Sequence, residues 1–221
     1  MLTLGAPFVS AGCSGPLSTL DPAGPAAQAI GTVWWVMLAG AAAIFLLVVA
    51  LLTLAFRRGE RREASVRKWI VGGGLVFPIV VLSSLLVYAL YLGERLLPRG
   101  DVEPLRVAAE SSQYAWTFTH PSGAGEGAIR TQGELHIPAG RPVDVALTTR
   151  DVIHAFWVPR LAGKLDAIPG HINVLRIEAD EPGVYPGVCA EYCGIGHARH
   201  VFRVIAHDTE GWARFQRGGS S

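Results

Sequence analysis

Charge is scarce in this 221-residue chain. Asp, Glu, Lys and Arg make up 17% of it and leave a net charge of +1 at pH 7. A balance so near zero offers no footprint for nucleic acid, and no nucleic-acid partner is expected. Cysteine is rarer still: Cys13, Cys189 and Cys193 are too few for a disulfide-built scaffold. Methionine is confined to Met1 and Met37, and no internal repeat is visible. Hydrophobic residues, by contrast, form half the chain, and the mean hydropathy of +0.34 is too high for an ordinary soluble domain.

The apolar residues gather in two blocks without a single charge, Ile30 to Phe56 and Trp69 to Leu92. Each exceeds the roughly 20 residues a helix needs to cross the hydrocarbon core of a bilayer. Buried core helices of that length would carry a polar stripe, which these lack. Gly72, Gly73, Gly74 and Pro78 are tolerable in a membrane helix, where neighbours satisfy freed backbone groups. Between the blocks lie Arg57, Arg58, Arg61, Arg62, Arg67 and Lys68, with Glu60 and Glu63 as solvated loop charges, whereas residues 1–33 hold no Lys or Arg. The positive-inside rule places that loop in the cytoplasm and both termini on the outer face. Trp34, Trp35, Trp69, Tyr88 and Tyr91 stand near the span ends, where aromatic rings favour the interface.

Val9 to Cys13 reads Val-Ser-Ala-Gly-Cys, small residues before a lone cysteine, as at a bacterial lipoprotein processing site. Cys13 is therefore either a lipidated first residue or a free thiol in an unstructured tail. The division expected is a signal-like segment at 1–29, a two-helix anchor at 30–99 with spans at 30–56 and 69–92, an extracytoplasmic domain at 100–210, and a tail at 211–221. The location implied is a bacterial cell membrane, crossed twice.

Beyond residue 101 the pattern changes to short β-rich runs: LRVAA, QYAWTFT, GELHIPAG, PVDVALTT, INVLRIEA and VFRVIA, punctuated by Gly, Pro, Asp and Asn. Val143, Val145 and Leu147 alternate with Asp144, Ala146 and Thr148, as in a half-buried strand. The fold class expected is two transmembrane helices followed by an all-β Greek-key sandwich or barrel.

Chemistry concentrates in Cys189-Ala-Glu-Tyr-Cys193-Gly-Ile-Gly-His197-Ala-Arg-His200, with Asp151-Val-Ile-His154 upstream. Two thiols and two or three imidazoles meet if the strand ending near His154 lies beside this loop. Soft sulfur with imidazole suits copper or zinc rather than calcium or magnesium. A Cys189–Cys193 disulfide, a structural Cys2His2 zinc site and unrelated surface histidines remain open on spacing alone.

The run Cys-x-Glu-x-Cys-x-x-x-His, the upstream Asp-Val-x-His and the segment Lys164 to Gly170, KLDAIPG, together resemble the dinuclear copper domain of cytochrome c oxidase subunit II. The resemblance extends over both spans and the β domain, and implies a cupredoxin fold. It further implies that Cys189 and Cys193 bridge two copper ions, that His154 and His197 each cap one, and that Glu191 ligates through its carbonyl while its carboxylate helps hold a Mg2+ shared with subunit I. The family carries methionine where this chain has His200, so His200 becomes the expected axial ligand. Family members take up electrons at an aromatic run that here reads Gln113 to Phe118; Tyr114 aligns with the accepting tryptophan and Trp116 with a structural aromatic. The function implied is electron relay from cytochrome c to haem in subunit I, with subunit III as a further partner, in an oxidase that reduces O2 and pumps protons. Asp151, Asp166 and Glu191 would form an acidic face toward a basic donor. The copper subunit of a haem–copper nitric oxide reductase and a membrane-tethered copper-delivery protein are the alternatives. Quinol oxidase subunits share the architecture but lack the copper ligands.

Overall fold

The computed structural model describes residues 12–57, 65–97, 104–122 and 127–218. Residues 9–11 of the lipoprotein-like motif, the loop residues Arg58, Glu60, Arg61, Arg62 and Glu63, and residues 219–221 of the tail lie outside them. The chain divides into two compact units, Thr32–Leu97 and a second made of Met1–Gly31 with Pro98–Ser221.

The first unit holds most of helix α1 (Pro25–Arg57) and a second helix, π-helical over Lys68–Val76 and α-helical over Phe77–Leu96 (α2). α1 begins five residues before the apolar block because Pro25, with its preset φ and no N–H, suits a first helical position. Pro78 has no N–H for the carbonyl four residues back. Just before it, the Phe77 N–H reaches Gly72 O, five residues away, and the wider turn absorbs the break. Both helices are long and apolar enough to cross a membrane, and none of their most apolar stretch is buried within the chain. Phe45, Leu46, Phe56 and Leu82 stand open in the way lipid-facing residues do.

Among the described residues the second unit contains ten strands: β1 Leu105–Ser112, β2 Ala115–Pro121, β3 Ala128–Gln132, β4 Glu134–Pro138, β5 Val143–Thr149, β6 His154–Trp157, β7 Leu165–Ala167, β8 Asn173–Ile177, β9 Gly183–Cys189 and β10 Val201–His207. They form two five-stranded sheets, ordered β3-β2-β1-β5-β8 and β4-β10-β9-β6-β7. β1 runs parallel to β5 and β4 parallel to β10; the other pairs are antiparallel. Alternate side chains fill the space between: Val107, Trp116, Phe118, Leu135, Ile137, Val145, Leu147, Phe156 and Val204 are fully buried. Each large one contributes about 1.5–3 kcal/mol relative to exposure.

Six strands match β-rich runs of the sequence; β3, β6, β7 and β9 do not. β9 carries Pro186 and Gly187, which argue against a central strand. It tolerates them because its pairing with β6 is confined to Val188 and Cys189, so Pro186 lies beyond the end of that partner. Gly187 is needed for packing, since a Cβ there would stand 2.3 Å from the Phe202 ring.

Both ends of this unit differ from the sequence expectation. The supposed tail at 211–221 contains most of α3 (Thr209–Gln216), which Asp208 caps by accepting from Gly211 N–H and which buries Trp212 and Phe215. Two aromatics three residues apart gave it an apolar face that the polar run around them concealed. At the other end, residues of the supposed signal-like segment pack on the β unit. Ala23 N–H donates to Arg160 O at 2.7 Å, Asp180 N–H to Ala23 O at 2.9 Å, and Arg160 Nε to Asp21 O at 2.7 Å. Gly24 has room for no side chain, as a Cβ would lie 2.1 Å from Glu178 O.

Candidate metal centre

Three adjacent strands bring the donors together. His154 opens β6, Cys189 closes β9, and His200 stands immediately before β10. β6 pairs with β9 through Phe156 and Cys189, and β9 with β10 through Val188 and Val201. Cys189 N–H donates to His200 O at 2.9 Å and Ala190 N–H to Ala155 O at 3.0 Å, fixing the base of the loop between β9 and β10. Cys193 sits in that loop, and His197 follows on a single 3-10 turn, His197–Arg199.

The two sulfurs are 3.9 Å apart, far beyond a disulfide bond of about 2.05 Å, and both thiols are free. His154 Nδ1 lies 3.7 Å from Cys189 Sγ; His197 Nδ1 and His200 Nδ1 lie 3.6 and 3.7 Å from Cys193 Sγ. Glu191 O is 3.3 Å from Cys189 Sγ. Imidazole nitrogens at about 2.0 Å and thiolates at about 2.3 Å from a shared ion would stand roughly 3.5–4.0 Å apart at tetrahedral to trigonal angles. The donor set therefore fits thiophilic metal ions. His154, Cys189, Cys193 and His200 form the tightest group, with donor atoms all within 4.8 Å of one another and all four residues buried. Burial first and the neighbouring Cys189 second push the Cys193 thiol up to about 11. Burial first and His154 second push His200 down to about 4.

Around these donors lies a supporting layer that sequence reasoning placed elsewhere. Asp151, read as part of a docking face, is exposed and also accepts from His154 Nε2 at 2.8 Å and from Gln113 N–H at 2.7 Å. Burial opposes ionisation of Asp151, but hydrogen bonds from His154, Gln113, Val152 and Thr149 outweigh it and hold the carboxyl at about 2. With its other nitrogen tied to a carboxylate, His154 presents Nδ1 to the centre, the usual arrangement of a metal-bound imidazole. The signal was available as the three-residue spacing of Asp151 and His154. Gln113, which gave no signal, donates Nε2 to Cys193 O at 2.5 Å and joins the turn between β1 and β2 to the ligand loop.

Tyr114 and Trp116 of the aromatic run separate, Trp116 taking the structural place expected of it. Trp116 has no exposed surface: it packs between the sheets against Phe156 and Phe202 and stacks on His200 at 5.7 Å. Its position on β2 points inward, so it cannot meet a donor. Tyr114 is 40% exposed, with its ring 6.2 Å from that of His200. It lies so close over the loop that a Cβ at Gly196 would stand 2.5 Å from its ring and one at Gly194 2.6 Å from its hydroxyl. The Glu191 carboxylate turns outward to Lys164 at 3.5 Å, which also pairs with Asp166 at 3.3 Å. Cys13 is exposed.

The family described as cytochrome c oxidase subunit II, periplasmic domain, matches residues 122–206. The cytochrome c oxidase subunit 2 of Alkalihalophilus pseudofirmus is 32% identical over 226 residues; the match covers 95% of this chain, which spans 65% of that protein's length. The quinol oxidase subunit 2 of Bacillus cereus is 30% identical over 212 residues, covering 90% of this chain and 72% of that one. Among solved structures, the periplasmic domain of cytochrome oxidase subunit II (CoxB) from Bradyrhizobium japonicum aligns over 55% of this chain and 95% of its own, with 26% identity and a TM-score of 0.49. The chain is membrane-anchored, its β unit has the cupredoxin-like fold, and it belongs to the cytochrome c oxidase subunit II family.

Proposed function

We propose that this chain is the electron-relay subunit of a haem–copper oxidase. On this reading Cys189 and Cys193 would together hold two copper ions in the β unit. His154 and His200 would serve one ion, and His197 with the Glu191 carbonyl the other. The observation that carries it is the convergence of three imidazole Nδ1 atoms and a carbonyl on two sulfurs 3.9 Å apart. Two bridging thiolates would share one electron between the metals. A site tied to three paired strands would change little between redox states, and fast transfer needs that.

Cytochrome c is the proposed donor, and haem in the catalytic subunit I the acceptor, with subunit III in the same assembly. Tyr114 is the proposed point of uptake, because it is both exposed and against the His200 ring. A quinol-fed enzyme would have no use for the sulfur and imidazole cluster. The copper domain and both termini face the outside, in keeping with the basic loop between the spans. The Glu191 carboxylate, partly exposed and 3.5 Å from Lys164 Nζ, is the proposed holder of a Mg2+ shared with subunit I. The full-length chain in detergent, loaded with copper, should bind two ions and give an electron paramagnetic resonance spectrum of one unpaired electron shared by both. A single copper, or a spectrum confined to one nucleus, would refute the relay.

A further inference from the structure

The two halves of the centre are built differently. The inner half consists of His154, Cys189, Cys193 and His200, four buried donors within 4.8 Å of one another. Three of the four are held at the ends of adjacent hydrogen-bonded strands, where side chains are placed more rigidly than on loops. The outer half adds only His197, on the exposed loop, and the carbonyl of Glu191. Were a thioether at position 200, the inner half would offer one imidazole and a weak ligand. With His200 it offers two thiolates and two imidazoles.

We infer, resting on the copper reading above, that the inner half is a complete site for a single divalent ion such as Zn2+, and that it fills alone with such an ion. Tetrahedral coordination by two sulfurs and two nitrogens is the arrangement Zn2+ favours. Charge points the same way. As one Zn2+ enters, the two thiols release two protons, and the ion cancels the two thiolate charges that burial makes costly. A second divalent ion would leave the buried cluster with a net charge of two. A first Cu+ leaves one negative charge uncancelled and draws a second Cu+ to the outer half. Divalent closed-site ions therefore stop at one per chain, whereas copper proceeds to two.

The test uses the full-length chain in detergent, reduced and stripped of metal, titrated with Co2+ as the spectroscopic stand-in for Zn2+. The expected result is one Co2+ per chain, with the intense bands of tetrahedral cobalt and thiolate charge transfer. His197→Ala should bind Co2+ as tightly as the unaltered chain, while His200→Ala should bind about tenfold or more weakly. His200→Met, which retains most of the buried bulk, guards against a folding defect and should show the same weakening with unchanged circular dichroism. Two Co2+ per chain overturns the inference, as does dependence on His197 with indifference to His200. Copper loading of the same samples keeps the two readings apart. A failed copper pair with intact one-ion Co2+ binding sinks the relay, and a normal copper pair with His200-independent Co2+ binding sinks only this inference.

Discussion

The far end of β10 carries a histidine cluster whose burial makes the β unit sensitive to acid. His120 and His136 are 0% and 3% exposed. His120 accepts from His136 N–H through Nε2 at 3.0 Å and lies 3.2 Å from Ile129 O through Nδ1. His136 Nδ1 meets His207 Nε2 at 2.8 Å, and the Phe215 ring of α3 covers His136 at 4.1 Å. Burial above all pushes both His120 and His136 from 6.5 down to about 4. The unfolded chain takes up these protons near 6.5 and the folded chain only near 4, so the stability they contribute is complete above 6.5 and is lost as pH falls toward 4. For one such histidine the loss at pH 5 is about 2 kcal/mol, rising to about 3 kcal/mol below the lower value. In a unit of this size 2 kcal/mol corresponds to a fall in Tm of roughly 8 °C. The assay is thermal unfolding of the metal-free chain by near-ultraviolet circular dichroism at pH 7.5 and pH 5, compared with His120→Gln. The glutamine amide replaces the hydrogen bonds but not the titration, so the variant should be about 2 kcal/mol less sensitive to the change. Contributions from the rest of the chain are common to both proteins and cancel. Equal pH slopes in the two would refute the reasoning.

Two further outcomes follow from the surroundings of the centre. Asp151→Asn keeps an acceptor for His154 but removes the charge, and copper affinity measured against a competing chelator should fall about 10- to 100-fold; no change would mean that Asp151 serves only the loop. Gly196→Ala forces its Cβ into the Tyr114 ring at 2.5 Å, which should cost about 1–3 kcal/mol in chemical unfolding. Adding Tyr114→Ala to that variant should recover much of the loss.

The spans were legible because absence of charge over more than 20 residues has few meanings. Strands with strict alternation, such as β5, were equally legible. β9 was not, because a proline and a glycine weigh against a central strand unless the length of the neighbouring strand is known. α3 was hidden by its small size, and its aromatics make sense only against His136 and His207 of the sheet. The packing of Ala23 and Gly24 against the β unit depends on contacts with Arg160 and Glu178, well over a hundred residues away, which no local pattern records.

The donors themselves could be read from spacing, but their division into an inner and an outer half could not. Sequence order puts His197 and His200 three residues apart and His154 far from both. Strand order reverses this: β6, β9 and β10 lie side by side, so His154 and His200 face each other with rings 4.9 Å apart while His197 stays on the loop, its Nδ1 3.6 Å from Cys193 Sγ. On the relay reading, a substitution at position 200 would be felt by the ion that His154 serves rather than by the one His197 serves. His200 lies in the buried half of the centre, against Trp116. The reduction potential should thus respond to His200→Met while the outward surface, and with it donor docking, stays as it is.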